Sequence, residues 1–298
     1  MLGATKMKPT TKLRQMLAGE GPLLVPGAYD GASARAVYGQ GHEAVYLTGF
    51  GMEASILGMP DIGLASQAEI IGHARRIAAA VPMPVLSDAD TGYGGLINVH
   101  RTVIEFERAG IAGIHIEDQS LPKRCGGMSG RKVVPTEEME ARLRAALAAR
   151  HDADFLIIAR SDAKATEGVD AVIERLNAYL EAGADLAMIA EPFELAELRH
   201  LCAGLQGPLA MVGGVPEWPE SMLSRDEFAA LGVKLVLYAL TGLGAALKAQ
   251  MAVYGELLAE GRLGPASSEA LMSLEDLSKM MGLDEWNHIE AAAMGTDE

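Results

Sequence analysis

The sequence predicts a (β/α)8 barrel, a TIM-type α/β fold, on three observations. Eight short apolar runs recur along the chain, and each has a helical candidate behind it. The runs are apolar throughout rather than alternating, as parallel strands buried on both faces should be. No linker, low-complexity stretch or composition break interrupts the series, so the 298 residues read as one domain, with the barrel at about 20–250 and a helical tail at about 251–298.

The runs are 23-LLVPGAY-29, 44-AVYLTG-49, 84-PVLSDAD-90, 113-GIHIED-118, 155-FLIIARSD-162, 186-LAMIAE-191, 208-PLAMVGG-214 and 233-VKLVLYA-239. An open doubly wound sheet is the competing architecture. The turn after the first run reads 26-PGAYDGASA-34, which lacks the G-x-G-x-x-G phosphate loop of that fold, and eight units suit a closed barrel better. Between the runs, 168-GVDAVIERLNAYLEAG-183 repeats apolar residues on one face of a 3.6-residue period and stops at Gly183, and 97-INVHRTVIEFERAG-110 stops likewise at Gly110. In 136-TEEMEARLRAALAAR-150, Thr136 suits an N-cap and two glutamates suit the positive helix end. The Met-rich tail around 270-ALMSLEDLSKMM-281 must bury an apolar face on its own barrel or on another subunit.

A formal charge of −15 argues against nucleic acid and anionic membranes as partners. Two cysteines make no disulfide framework, and a cytoplasmic setting is expected. The first residues lack a signal-peptide apolar core, and no run of transmembrane length occurs.

Barrels of this kind carry their chemistry at the C-terminal ends of strands. There the chain offers Tyr46-Leu47-Thr48-Gly49, Asp88-Ala89-Asp90, Glu117-Asp118, Arg160-Ser161-Asp162 and Glu191. Asp88 and Asp90, two apart on one strand, should face one side, with Glu117 from the next unit. Three hard oxygen donors without a His or Cys cluster suit Mg²⁺ or Mn²⁺ rather than zinc; capping and salt-bridging are the plainer roles for such acids. Arg160 offers a planar fork for a substrate carboxylate, or a partner for Glu117 or Asp162. The segment 119-QSLPKRCGGMSGRKVV-134 is long for a strand-to-helix connection and reads as a lid. Lys123 and Arg124 flank Cys125 and should favour its thiolate. His115 reads as a satisfied interior residue and Cys202 as core. The run 92-GYGG-95 reads as a turn that lets backbone approach the site.

Together 46-YLTG-49, 87-SDADTGYG-94, 115-HIEDQ-119, 122-PKRCGG-127 and 159-ARSDA-163 resemble the isocitrate lyase/phosphoenolpyruvate mutase superfamily, closest to its 2-methylisocitrate lyase and dimethylmalate lyase branch, over roughly residues 12–260. The resemblance implies a barrel, often a tetramer with exchanged C-terminal helices, in which Mg²⁺ (or Mn²⁺) holds an α-keto acid unit. It implies that Asp88, Asp90 and Glu117 hold the metal directly or through water, and that the backbone around Thr48 and Gly49 binds the keto acid carboxylate. Arg160 would hold a substrate oxygen or carboxylate, Tyr46 would sit by the 2-hydroxyl, and Cys125 would serve as acid or base. Phe50, Lys123, Arg124, Gly126 and Glu191 would complete the substrate pocket. The implied activity is cleavage of a methylisocitrate- or alkylmalate-like acid to pyruvate or glyoxylate plus a carboxylic acid. The competing readings are oxaloacetate decarboxylation or another enolpyruvate-forming reaction, P–C bond chemistry, and a metabolite-binding barrel without turnover. The chain departs from the branch in having Gly127 for a histidine, Val212 for an asparagine, Thr48 for a serine and a bulky Phe50.

Overall fold

The computed structural model describes residues 7–295. Eight strands close into a parallel barrel in sequence order: β1 (Leu23–Ala28), β2 (Val45–Leu47), β3 (Val85–Asp88), β4 (Gly113–Glu117), β5 (Leu156–Ser161), β6 (Leu186–Ile189), β7 (Leu209–Val212) and β8 (Val233–Tyr238). Closure runs through β1 and β8, from Leu23 opposite Leu235 to Pro26 opposite Tyr238. The eight expected runs are the eight strands, and the expected barrel is the fold.

Strand alternation divides the core into two shells. Val45, Leu47, Val85, Ile114, Ile116, Ile157 and Ala159 pack outward against the helices. Tyr46, Leu86, Leu156, Ile158, Met188 and Leu235 belong to a second cluster inside the barrel, closed below by Leu13 of the helix Pro9–Ala18. The inward phase carries the chemistry. Two residues beyond Leu86 comes Asp88; two beyond Ile158 comes Arg160; Glu117 pairs in register with Arg160, and Asp88 with His115.

The helices behind β3, β4 and β5 span Leu96–Arg108, Thr136–Ala149 and Val169–Glu181. Thr136 is the first helical residue rather than the cap; Pro135 holds the cap position, and Glu137 and Glu138 lie in the first turn. The helix after β8 runs from Thr241 to Glu260, so the barrel's own last helix extends into the expected tail. Short helices Pro265–Glu269, Leu274–Met280 and Leu283–Met294 follow. The tail touches its own barrel where Arg35 donates to the Met280 carbonyl (3.4 Å), yet Met251, Leu258, Leu274 and Trp286 stay exposed. No helix of the described residues is long and apolar enough to cross a membrane.

Candidate active site

The mouth of the barrel gathers Asp61, Asp88, Asp90, Glu117 and Asp162, all buried, around two buried cations, Lys123 and Arg160. Asp88 ends β3 and faces inward by strand phase. Asp90 does not follow by alternation, because the strand has ended: its φ of 48° turns the chain, and its N–H donates to Asp88 Oδ1 at 2.9 Å. A left-handed aspartate is uncommon backbone held by its surroundings, a frequent mark of a functional site. The 92–95 run continues this turn, with the Gly92 N–H donating to the Ala89 carbonyl.

Lys123 reaches down from the loop 119–134, pairs with Asp61 and lies 2.6 Å from Asp90 Oδ1. Arg160 forks onto Asp162 (3.0 and 2.8 Å) and reaches Glu117 Oε2 at 3.1 Å. Five buried acids thus face two bases, so not all five can stay ionised. Burial therefore dominates the titration. It raises Asp90 to about 7, partly opposed by Lys123 and aided by Asp88. It pushes Glu117 well above the usual carboxylate range despite Arg160, and Glu117 Oε1 has no hydrogen-bond partner.

Among the described residues, no three Asp, Glu, His or Cys side chains converge closely enough to enclose a metal ion by themselves. The donor set still fits a hydrated hard cation: buried carboxylate oxygens, one of them orphaned, in excess over the cations that neutralise them. Mg²⁺ keeps several waters and uses one or two carboxylates.

A cavity of about 390 Å³ opens beside this cluster. Tyr46, Thr48, Asp61, Asp88, Cys125 and Arg160 are its polar lining. Tyr46 Oη lies 2.7 Å from His115 Nε2, and His115 Nδ1 lies 3.5 Å from Asp88 Oδ1. Burial drives His115 down to about 4, opposed by Asp88 and reinforced by Arg160, and it drives the Tyr46 phenol well above 10, with Asp88 adding to the rise. His115 is therefore interior, as expected, but not fully satisfied, since its Nδ1 has no hydrogen-bond partner, and it also supports a cavity residue. Gly49 is required by close approach: a Cβ there would meet Asp88 Oδ2 at 2.5 Å. Thr48 caps the helix Gly49–Leu57 without a side-chain cap bond, so the orphan N–H groups of its first turn are free of that competitor.

The loop 119–134 lies shut. The Ser120 N–H donates to the Lys132 carbonyl, the Cys125 N–H to the Asp61 carbonyl (3.0 Å), and Arg131 Nη2 lies 2.6 Å from Glu191 Oε2. Gly126 packs so tightly that a Cβ would sit 1.9 Å from the Ala190 carbonyl oxygen. Its place on the cavity wall follows from that packing. Cys125 lines the cavity, but its expected thiolate character is wrong for this state. Burial raises the thiol to about 11, with Asp61 adding to the rise; Lys123 spends its charge on Asp61 and Asp90.

Of the other expected pocket residues, Thr48, Phe50 and Arg160 line the cavity. Lys123, Arg124 and Glu191 do not. Lys123 is committed to the acids. Arg124 is exposed, its backbone fixed by Gln119. Glu191 accepts from Arg131 and from the Lys164 N–H, tying the loop and the short helix Lys164–Glu167 after β5 to the end of β6. Asp90 and Glu117 lie behind the wall. Arg160 is not a free fork; both carboxylates named as its alternative partners hold it. Sequence reasoning missed Asp61 and the apolar wall of Met128, Met188, Trp218 and Leu240. Cys202 packs against the core.

The family model described as phosphoenolpyruvate phosphomutase matches residues 13–258. The chain belongs to this family. It is 36% identical to 2,3-dimethylmalate lyase of Eubacterium barkeri over 95% of this chain and 98% of that one, and 38% identical to 2-methylisocitrate lyase of Shewanella oneidensis over 91% and 92%. The structure of oxaloacetate acetylhydrolase with the inhibitor 3,3-difluorooxalacetate superposes with a TM-score of 0.90 at 34% identity, over 96% of this chain and 98% of that one. The expected superfamily membership thus holds, and the chain is an enzyme of the lyase kind within it.

Proposed function

We propose that the chain cleaves the C2–C3 bond of a 2-hydroxy dicarboxylic or tricarboxylic acid, releasing pyruvate or glyoxylate and a carboxylic acid. The observation that carries this reading is the meeting of three groups in one cavity: the Tyr46 hydroxyl, the Cys125 thiol and the Asp88 edge of an electron-rich carboxylate cluster. Mg²⁺ or Mn²⁺, held through Asp88, Asp90 and Glu117 and their waters, would polarise the oxygens of the α-keto acid unit.

The N-terminus of the helix Gly49–Leu57, beside Thr48, suits the keto acid carboxylate, because a helix start offers N–H donors and positive potential. The 2-hydroxyl then faces Tyr46. A phenol held well above 10 is no base alone, and the imidazole 2.7 Å away is held neutral down to about 4; Tyr46, hydrogen-bonded to His115 Nε2, orients the 2-hydroxyl, whose proton passes to Asp61, the cavity-wall carboxylate that burial raises. As C2–O becomes a carbonyl, the C2–C3 electron pair remains on C3. Cys125, a thiol at neutral pH, protonates it. One proton leaves oxygen and one joins carbon, so the reaction balances. The seated loop keeps water from the carbanion.

The exposed apolar side chains of the last helices support a homo-oligomer, tetrameric by the family resemblance, working in the cytoplasm on a small carboxylate. The test is Cys125→Ala in Mg²⁺. Loss of about 10²–10⁴-fold in pyruvate or glyoxylate release is expected for a missing proton donor. An unchanged rate would sink the lyase mechanism and favour an enolpyruvate-forming decarboxylation, which has no need of that proton.

A further inference from the structure

The polar lining of the cavity accounts for the keto acid unit; its apolar lining has so far been given no occupant. Six side chains from six separate segments form it: Phe50 after β2, Met128 from the loop, Met188 on β6, Val212 ending β7, Trp218 beyond it and Leu240 after β8. Glu217 is the ionisable residue on this side, and it is an acid. Arg160 is the basic residue on the cavity wall, and Glu117 and Asp162 already hold it. Gly127 completes the wall by having no side chain: a Cβ there would lie 3.2 Å from Trp218 Cζ2, so the indole occupies the space next to the loop. A third substrate carboxylate placed against this apolar lining would lose its water, meet apolar carbon and face Glu217 without a cation.

We infer that the half of the substrate released as a carboxylic acid carries a bulky apolar substituent, from propyl to phenyl in size, and no further carboxylate. The inference rests on the lyase reading for which bond breaks. Size supports it as well: an apolar cavity of about 150 Å³ holds a benzene ring, so the 390 Å³ here accommodates a diacid core and a ring-sized group.

The test separates binding from turnover. The 298-residue protein, in Mg²⁺, is titrated calorimetrically with methyl-, propyl- and benzylsuccinate, which lack the hydroxyl and cannot be cleaved, and with propane-1,2,3-tricarboxylate. Affinity is expected to rise about fourfold per methylene, hence about sixteenfold from methyl to propyl. The tricarboxylate is expected to bind at least about tenfold more weakly than propylsuccinate. Trp218→Ala, on a half-exposed loop position, should flatten the series, and Trp218→Arg should improve the tricarboxylate. A flat wild-type series, a tricarboxylate that outcompetes propylsuccinate, or an unaltered slope in a folded Trp218→Ala overturns the inference. Binding in the expected order without cleavage of the matching 2-hydroxy diacids supports it and contradicts the lyase reading; cleavage with a tricarboxylate preference does the reverse.

Discussion

Gly126 and Gly127 are neighbours with opposite tolerances, and the contrast gives a measurement of how the loop works. Gly126 has no left-handed backbone, so only space forbids a side chain. A Cβ would lie 1.9 Å from the Ala190 carbonyl oxygen and 2.9 Å from Arg160 Nη2. Real Cβ atoms stay beyond about 3 Å from such an oxygen, and Ala190 directly follows β6 in the barrel wall, where dense packing resists displacement. The loop must therefore lift by about 1 Å at this point. A misplacement of about 1 Å at a reacting centre costs about a hundredfold, so kcat/KM of Gly126→Ala should fall by about that factor. In Gly127→Ala the new carbon meets only the rim of the half-exposed Trp218, and a change within about threefold is expected. A substrate-free assay reads the same displacement. Arg124 is exposed but its backbone is bonded to Gln119, and tryptic cleavage after Arg124 should speed up in Gly126→Ala and not in Gly127→Ala. Wild-type kcat/KM together with wild-type nicking in Gly126→Ala would refute the seated loop.

Three further outcomes follow from the same geometry. Iodoacetamide should modify Cys125 about a hundredfold more slowly near neutral pH than an exposed cysteine, with the half-maximal rate near pH 11, since two pH units separate its thiol from the ordinary value of 9.0; mass spectrometry of the 125-containing peptide against pH measures it. His115 is held neutral down to about 4, whereas the unfolded chain protonates it near 6.5. The unfolded state thus binds the extra proton between those values, and stability is lost as pH falls through that window, by about 3 kcal/mol at its foot; urea titrations at both ends should show the loss shrinking in His115→Gln. Glu117→Gln keeps the side chain's shape but removes a carboxylate that a bound cation would hold ionised, and should weaken Mg²⁺ binding by about 10–100-fold in a calorimetric titration, with circular dichroism unchanged.

The barrel was legible because its signal is local. Each buried strand is an apolar run, each helix repeats at its own period, and strand phase then carries Asp88, Glu117 and Arg160 inward two residues at a time. The reading failed where side-chain direction depends on a partner far along the chain. Asp61 sits in the 58–66 connection, on no strand end, and enters the site because Lys123 meets it from a loop sixty-two residues away. Lys123 was expected to activate its neighbour Cys125, but its long stem follows the stronger field of Asp61 and Asp90 down past the wall. Asp90 reaches the cluster by a left-handed turn that no alternation rule describes. Trp218 and Leu240 were invisible for a simpler reason: apolar residues in loops carry no period, and only the closed barrel shows that they face one space.

The most direct test of the account is product analysis. The protein, with Mg²⁺, is offered a panel of 2-hydroxy diacids and triacids with C3 substituents of varied size, and pyruvate and glyoxylate are assayed separately alongside the released carboxylic acid. Stoichiometric release of one of the two oxo acids with a carboxylic acid is expected, abolished by EDTA and restored by Mg²⁺ or Mn²⁺. Formation of CO₂ from oxaloacetate with no cleavage of any 2-hydroxy acid, or full turnover in EDTA, would contradict it.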